Sequence, residues 1–196
     1  MKCYPVIPPS QSSVSGYTYD PSKPITITEG TNIWSRSAQM RERSVLLERD
    51  DVLVFETEAL EKDLEITGDI SLELFASSSA IDTDFTAAIV DVYPDGYSLL
   101  IQEGILRASH RNKNESPSHI NPDEIYQFNI DLWSTSYVIP AGHQLRLEIS
   151  SSNFPRFARN LNNGEPFGMS SDIVIADQKI YFGEKYPSRL LLPVIR

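Results

Sequence analysis

The sequence predicts an all-β fold: a two-sheet sandwich of jelly-roll type with little helix. Three observations carry this. Apolar residues alternate with polar ones at period two through several segments. Turn signals of the Pro-Asp-Gly kind separate those segments. Helical periodicity is weak throughout, so about eight to ten short strands with nothing to pack on but each other imply two facing sheets.

Residues 1–24 are rich in Pro and Ser and read as an extended lead-in, which leaves residues 25–196 as a single β-sandwich domain. Within 25–50, ITIT is a candidate short strand and RSAQMRERS a loop or helical turn. From Asp51 the strands follow closely. VLVFETE comes first. In DISLELFA, Ile70, Leu72, Leu74 and Ala76 share one face, and Ser71 and Glu73 the other. DFTAAIVDVY and YSLLIQEGILRAS follow, joined through Pro94-Asp95-Gly96. In EIYQFNIDL, Tyr126, Phe128, Ile130 and Leu132 form the apolar face; in HQLRLEIS it is Leu145, Leu147 and Ile149. SDIVIADQKIYF and RLLLPVI complete the set. Asn121-Pro122-Asp123 and Pro140-Ala141-Gly142 mark further turns.

At 196 residues the chain suits one domain that buries roughly 70% of its unfolded surface. Its net charge of −10 repels phosphate backbones and anionic bilayers, so neither nucleic acid nor membrane is an expected partner. No apolar run is long enough for a transmembrane helix. Cys3 stands alone, so no internal disulfide forms, and the lead-in lacks the apolar core of a signal peptide. Both fit a cytoplasmic setting.

The segment Ser150–Gly164, SSSNFPRFARNLNNG, follows the strand HQLRLEISS. It resembles a signature of the C-terminal β-sandwich domain of the X-Pro dipeptidyl-peptidase and cocaine esterase-like α/β-hydrolase family. Other segments resemble that family in the same order: YTYDPSKP, RDDVLVFETEAL, ITGDISLELFASSSAIDTDFTAAIVDVYPDG, EGILRASHR and YPSRLLLPVI. The resemblance covers nearly everything from Tyr17 onward. The chain departs from it at EGTNIWSRSAQMRER, where the family usually carries glycine-rich turns. The resemblance implies a galactose-binding-like sandwich that accompanies an α/β-hydrolase catalytic domain, in cis or in trans, and helps shape its substrate cleft. It implies serine-dependent hydrolysis of an ester or an X-Pro bond by that partner. No cofactor or metal is implied.

The residues themselves supply no catalytic set. A nucleophile elbow needs G-x-S-x-G; Gly96-Tyr97-Ser98 and Gly168-Met169-Ser170 lack the second glycine. His143 opens a strand and suits a rim hydrogen bond, while His110 and His119 flank the polar loop RNKNESPS. Asp82 and Asp84 suit turn hydrogen bonding better than a calcium cage. Asn160, Asn162, Asn163 and Gly164 suggest a turn, left-handed at Asn163 or Gly164. The cleft wall is expected in the Ser79–Phe85 loop, with Asp84 and Phe85 its candidates. Trp34, Phe154, Arg156 and Phe157 are the candidates for docking against the hydrolase, since aromatics and arginine are favoured at interfaces. The same NFPRFARN stretch also suits a crossover loop that simply closes one end of the sandwich. An apolar face without its partner would lead to self-association. The alternative is a stand-alone carbohydrate-binding module with Trp34 and Trp133 as platforms, although Trp133 is expected to be buried or at a strand end.

Overall fold

The computed structural model describes residues 13–27 and 42–195, so Trp34, a docking and platform candidate, lies outside the described residues. Among the described residues eleven strands are present: β1 (Ser13–Tyr19), β2 (Thr26–Ile27), β3 (Leu53–Glu56), β4 (Leu64–Ser78), β5 (Asp84–Val92), β6 (Ser98–Arg107), β7 (Tyr126–Ile139), β8 (Gln144–Ser150), β9 (Phe154–Pro155), β10 (Ala176–Phe182) and β11 (Arg189–Leu191). Two 3-10 turns, Ser44–Glu48 and Ala108–His110, are the helical content among the described residues.

One sheet is built on β4. On one edge β4 pairs with β7, from Leu64↔Ile139 to Ala76↔Tyr126. Its other edge is shared by β10, along Phe75–Ser78, and β11, along Ser71–Glu73. β1 completes this sheet by pairing with β10. The second sheet has the order β3-β8-β5-β6, and every named pairing in the two sheets is antiparallel. A small parallel bridge, β2 with β9, lies outside both. The core sits between the two inner faces. Leu72, Leu74, Phe128 and Ile130 from the first sheet meet Phe85, Ala87, Ile89, Leu147 and Ile149 from the second. At Gly104 the sheets come closest: a Cβ there would stand 2.1 Å from the Asp131 carbonyl oxygen, so only glycine fits.

The outer faces differ. Along β7 buried and exposed residues alternate, as a one-sided strand requires. Every residue of β5 is buried, so the second sheet is covered on both sides. Its outer cover is made by the chain itself. Val54 turns outward onto Ile25, Leu46 and Val52.

Three elements differ from expectation. Ser13–Tyr19 lies within the stretch read as lead-in, yet it is a strand. Tyr17 and Tyr19 alternate inward and are buried, and that apolar period outweighs the Pro/Ser composition around it. In SDIVIADQKIYF the strand begins only at Ala176, and Asp172–Ile175 forms exposed loop. Trp133 is neither buried nor at a strand end. It sits mid-β7 at a bulge opposite Asp69/Ser71, with φ of 65° and 65% of its surface exposed.

Candidate functional site

One end of the sandwich is organised by the Ser150–Gly164 segment, whose polar groups are largely committed to holding it in place. Ser150 Oγ donates to the Asp51 carbonyl at 2.7 Å, and Ser152 Oγ accepts from the Ile25 amide at 2.9 Å. Ser151 Oγ lies 2.9 Å from the buried Tyr17 hydroxyl. Burial pushes the Tyr17 and Tyr19 phenols well above the ordinary range, so both stay neutral. Asn153 Nδ2 donates to Glu103 at 2.7 Å, and Arg156 Nη1 stands 2.7 Å from the other oxygen of that carboxylate. Arg159 Nη1 donates to the Pro21 carbonyl at 2.9 Å.

Asn160 joins this loop to the corner between β4 and β5. Its amide nitrogen donates to Asp82 Oδ2 at 3.1 Å and to Asp84 Oδ1 at 3.0 Å. Asp82 also accepts from the Ser109 amide, and Asp84 meets Arg107 at 2.8 and 3.2 Å. Burial pushes the Asp84 carboxyl above its ordinary range; the Arg107 guanidinium and the Asn160 amide hold part of that rise back. The hydrogen bond from Arg107 in turn raises the arginine further above its usual value. The segment ends in a left-handed turn. The left-handed residues are Asn162, at φ 62°, and Gly164, at φ 76°. Asn163, the alternative considered, instead accepts from the Glu165 amide through Oδ1. A Cβ on Gly164 would lie 2.7 Å from Ile81 Cδ1 and 2.9 Å from His119 Nε2, so glycine is required twice over.

Around Arg107 three surface recesses meet. One of about 250 Å³ runs along Arg159, Asn163 and Phe167. A second, about 380 Å³, lies against His110, His119 and Glu165. The third, about 320 Å³, is lined by Asp84 and Phe157. Among the described residues one hydroxyl–imidazole contact occurs, Ser109 Oγ to His110 Nδ1 at 3.1 Å. It is not a triad. The two residues are chain neighbours on a 3-10 turn, and Asp82 bonds the Ser109 backbone rather than orienting the imidazole. His143 has a structural setting: its Nδ1 lies 2.8 Å from the buried Asp91, which also accepts from Tyr137. Among the described residues no group of three His, Cys, Asp or Glu is arranged to hold a metal, and no helix is long and apolar enough to cross a membrane.

The predicted residues divide. Asp84 is buried but borders a recess, and Phe157 lines the same one. Phe85 is fully buried with its ring 4.8 Å from Phe128, because its alternation with Ala87 and Ile89 points it inward. Phe154 is exposed beside β2, while Arg156 is half-buried on Glu103, with its guanidinium 5.2 Å from the Phe157 ring. Phe154 and Arg156 thus lie over the second sheet, and only Phe157 reaches the recesses. Sequence reasoning missed the most exposed apolar group. Phe167 and Met169 are each 76% exposed, Ile175 is 59% exposed, and Ile173 and Val174 stand beside them. The signal was present as an apolar run, but it was read as the start of β10.

This end of the molecule is a bound loop system bordered by apolar side chains and shallow recesses. The fold defines a class: an all-β sandwich of two antiparallel sheets. The family model described as "X-Pro dipeptidyl-peptidase C-terminal non-catalytic domain" matches residues 9–191, and the chain belongs to that family. Cocaine esterase of Rhodococcus sp. (strain MB1 Bresler) is 38% identical over 187 residues, 94% of this chain and 33% of that protein. Among solved structures, an aminopeptidase from a marine sediment Thaumarchaeota archaeon superposes with a TM-score of 0.87 at 27% identity, over 97% of this chain and 34% of the other. An α-amino acid ester hydrolase gives 0.84 at 28% identity, over 93% and 32%. The chain therefore spans about a third of the length of these relatives.

Proposed function

We propose that this chain is the accessory domain of a serine-dependent hydrolase of the esterase or X-Pro dipeptidyl-peptidase type. It packs on an α/β-hydrolase body in cis and borders that body's substrate cleft. The observation that carries the reading is the match to a non-catalytic domain family over residues 9–191, in a chain one third the length of its enzyme relatives. The missing nucleophile elbow agrees with it. On this reading the recess of Asp84 and Phe157 supplies the cleft-facing rim, in place of Phe85. The acidic surface and lone cysteine fit a cytoplasmic enzyme.

The carbohydrate-platform reading has less support. The exposed ring of Trp133 lies about five residues of β4 away from the Phe75–Tyr186 pair, roughly 17 Å at strand rise, so no aromatic strip joins them.

The test is direct. The 196-residue chain is incubated with acyl esters, X-Pro anilides and a fluorophosphonate probe. Turnover at background and no labelled serine are expected; stoichiometric labelling of one serine would sink the reading.

A further inference from the structure

The apolar loop that follows the signature segment has no role in the sandwich. Phe167, Met169, Ile173, Val174 and Ile175 fall within nine residues and all face outward. The loop is nevertheless held in place. Val174 donates its amide to Leu161 and accepts from Asn162 Nδ2 at 2.8 Å, while Asn163 Nδ2 donates to the Asp172 carbonyl at 2.7 Å. Large apolar side chains on a tethered loop form a pre-organised contact surface rather than a loose excursion.

The other surfaces are different. The outer face of the first sheet carries polar pairs such as Arg189 with Glu73 and Thr67 with Ser136, and exposed apolar side chains such as Trp133 and Val138 stand singly there rather than as a run. The outer face of the second sheet is covered by the chain's own residues. At the edge of the loop stands Arg159. It is exposed, it lines the recess that Phe167 closes, and its named hydrogen bond is to a backbone carbonyl. This leaves a cationic group beside the apolar patch in a chain whose net charge is −10.

We infer that the Phe167–Ile175 loop, with Arg159 at its edge, is the face on which the α/β-hydrolase body seats, through an apolar surface carrying a carboxylate opposite Arg159. This rests on the docking reading proposed above. The occupant is argued from length, since two thirds of each relative lies outside the matched region, and from the exposed positive charge of Arg159 at the rim. Aromatic and Met side chains ringed by a polar rim, with arginine included, are the composition of such an interface core.

The test replaces the matching third of the Rhodococcus relative with this chain. The chimaera is compared with its Phe167→Ser/Met169→Ser/Ile175→Ser variant by calorimetry and by amide exchange over 166–175. The isolated triple variant should melt with the isolated parent chain, because the three side chains are exposed. The parent chimaera should melt as one unit, with at least tenfold slower exchange over 166–175 than the isolated chain. The triple variant should separate into two transitions and lose that protection, and Arg159→Glu should weaken the coupling in the same direction. If the triple variant still melts as one unit, with protection mapping elsewhere, the docking reading stands and this face is wrong. If the parent chimaera melts as two independent units, both fall. Protection that grows with the concentration of the isolated chain would identify the occupant as a second copy and overturn the inference.

Discussion

The two sheets face outward in opposite ways. Outside the β1-β10-β4-β11/β7 sheet, charged and hydroxyl side chains pair in water: Arg189 with Glu73, Ser134 with Asp69, Thr67 with Ser136. Outside the β3-β8-β5-β6 sheet an ionic group is buried. Arg43 reaches Glu148 at 2.7 Å and Glu103 at 3.8 Å, and Arg146 reaches Glu56 at 2.5 Å and Glu148 at 3.7 Å. The chemistry is alike, but the consequence is not. An exposed pair is screened and adds little. A buried pair has already lost its hydration, so its removal in halves costs far more than the pair contributes as a whole. The buried network thus fixes where the 42–52 segment lies over the sheet more than it stabilises the fold. The exposed pairs fix almost nothing.

The sharpest way to break this comparison is Arg43→Ala. It removes the nearer partner of Glu148 beneath the cover and leaves Arg146 at 3.7 Å, and a loss of about 3 kcal/mol in urea unfolding is expected. The double replacement Arg43→Met with Glu148→Leu should return most of that loss, since Arg146 keeps Glu56 and Glu103 keeps Arg156 as partners. If the double variant is as unstable as the single one, the network is a stabiliser and the contrast is misdrawn.

An intermediate case lies at the signature end. Arg107 is partly exposed, but its partner Asp84 is buried. Arg107→Met should cost about 2–3 kcal/mol at neutral pH, less than Arg43→Ala because water reaches this site and Asn160 remains. The sign with pH follows from the direction of the Asp84 shift. Its folded pKa lies above the unfolded value of 3.8, so its protonated form favours the fold below that pH, and the advantage is lost as pH rises through the folded value. Without Arg107 the folded value climbs further. The variant's deficit should therefore be small near pH 4 and grow toward neutrality. A deficit that is flat with pH would mean that Arg107 acts through packing alone.

At the small end, Arg189→Ala removes an exposed pair with Glu73. A change below about 1 kcal/mol is expected, shrinking further in high salt. A larger loss would mean that the outer face of the first sheet is not the solvated surface described here.

Much of the sandwich was legible because alternation is a local signal. Ile70, Leu72 and Leu74 announce their face without reference to anything distant. Local signals also misled. Pro and Ser around Tyr17 and Tyr19 hid β1, and Ile173-Val174-Ile175 has strand composition but lies beyond the end of its ladder with Tyr19↔Ala176. Phe85 was read as the end of the Ser79–Phe85 loop, whereas it is the second residue of β5 and lies in the core. The left-handed turn at Gly164 was readable from Asn-Asn-Gly. What Asn160 binds was not, because Asp82 and Asp84 stand 78 and 76 residues away in sequence. Arg107 and Arg159 were passed over for the same reason: their importance depends on which loops converge around them.

The pairing of β1 with β10 also sets a timetable. β1 leaves the ribosome ahead of its partner in the sheet, which follows roughly 160 residues later. At about 5–20 residues per second that is a delay of roughly ten to thirty seconds. Throughout it, Tyr17 and Tyr19 have neither ladder nor core. A strand made that far ahead of its partner is locked late. A nascent chain holding an unpaired edge for that long depends on dilution, or on a chaperone, to keep it from pairing with a neighbour.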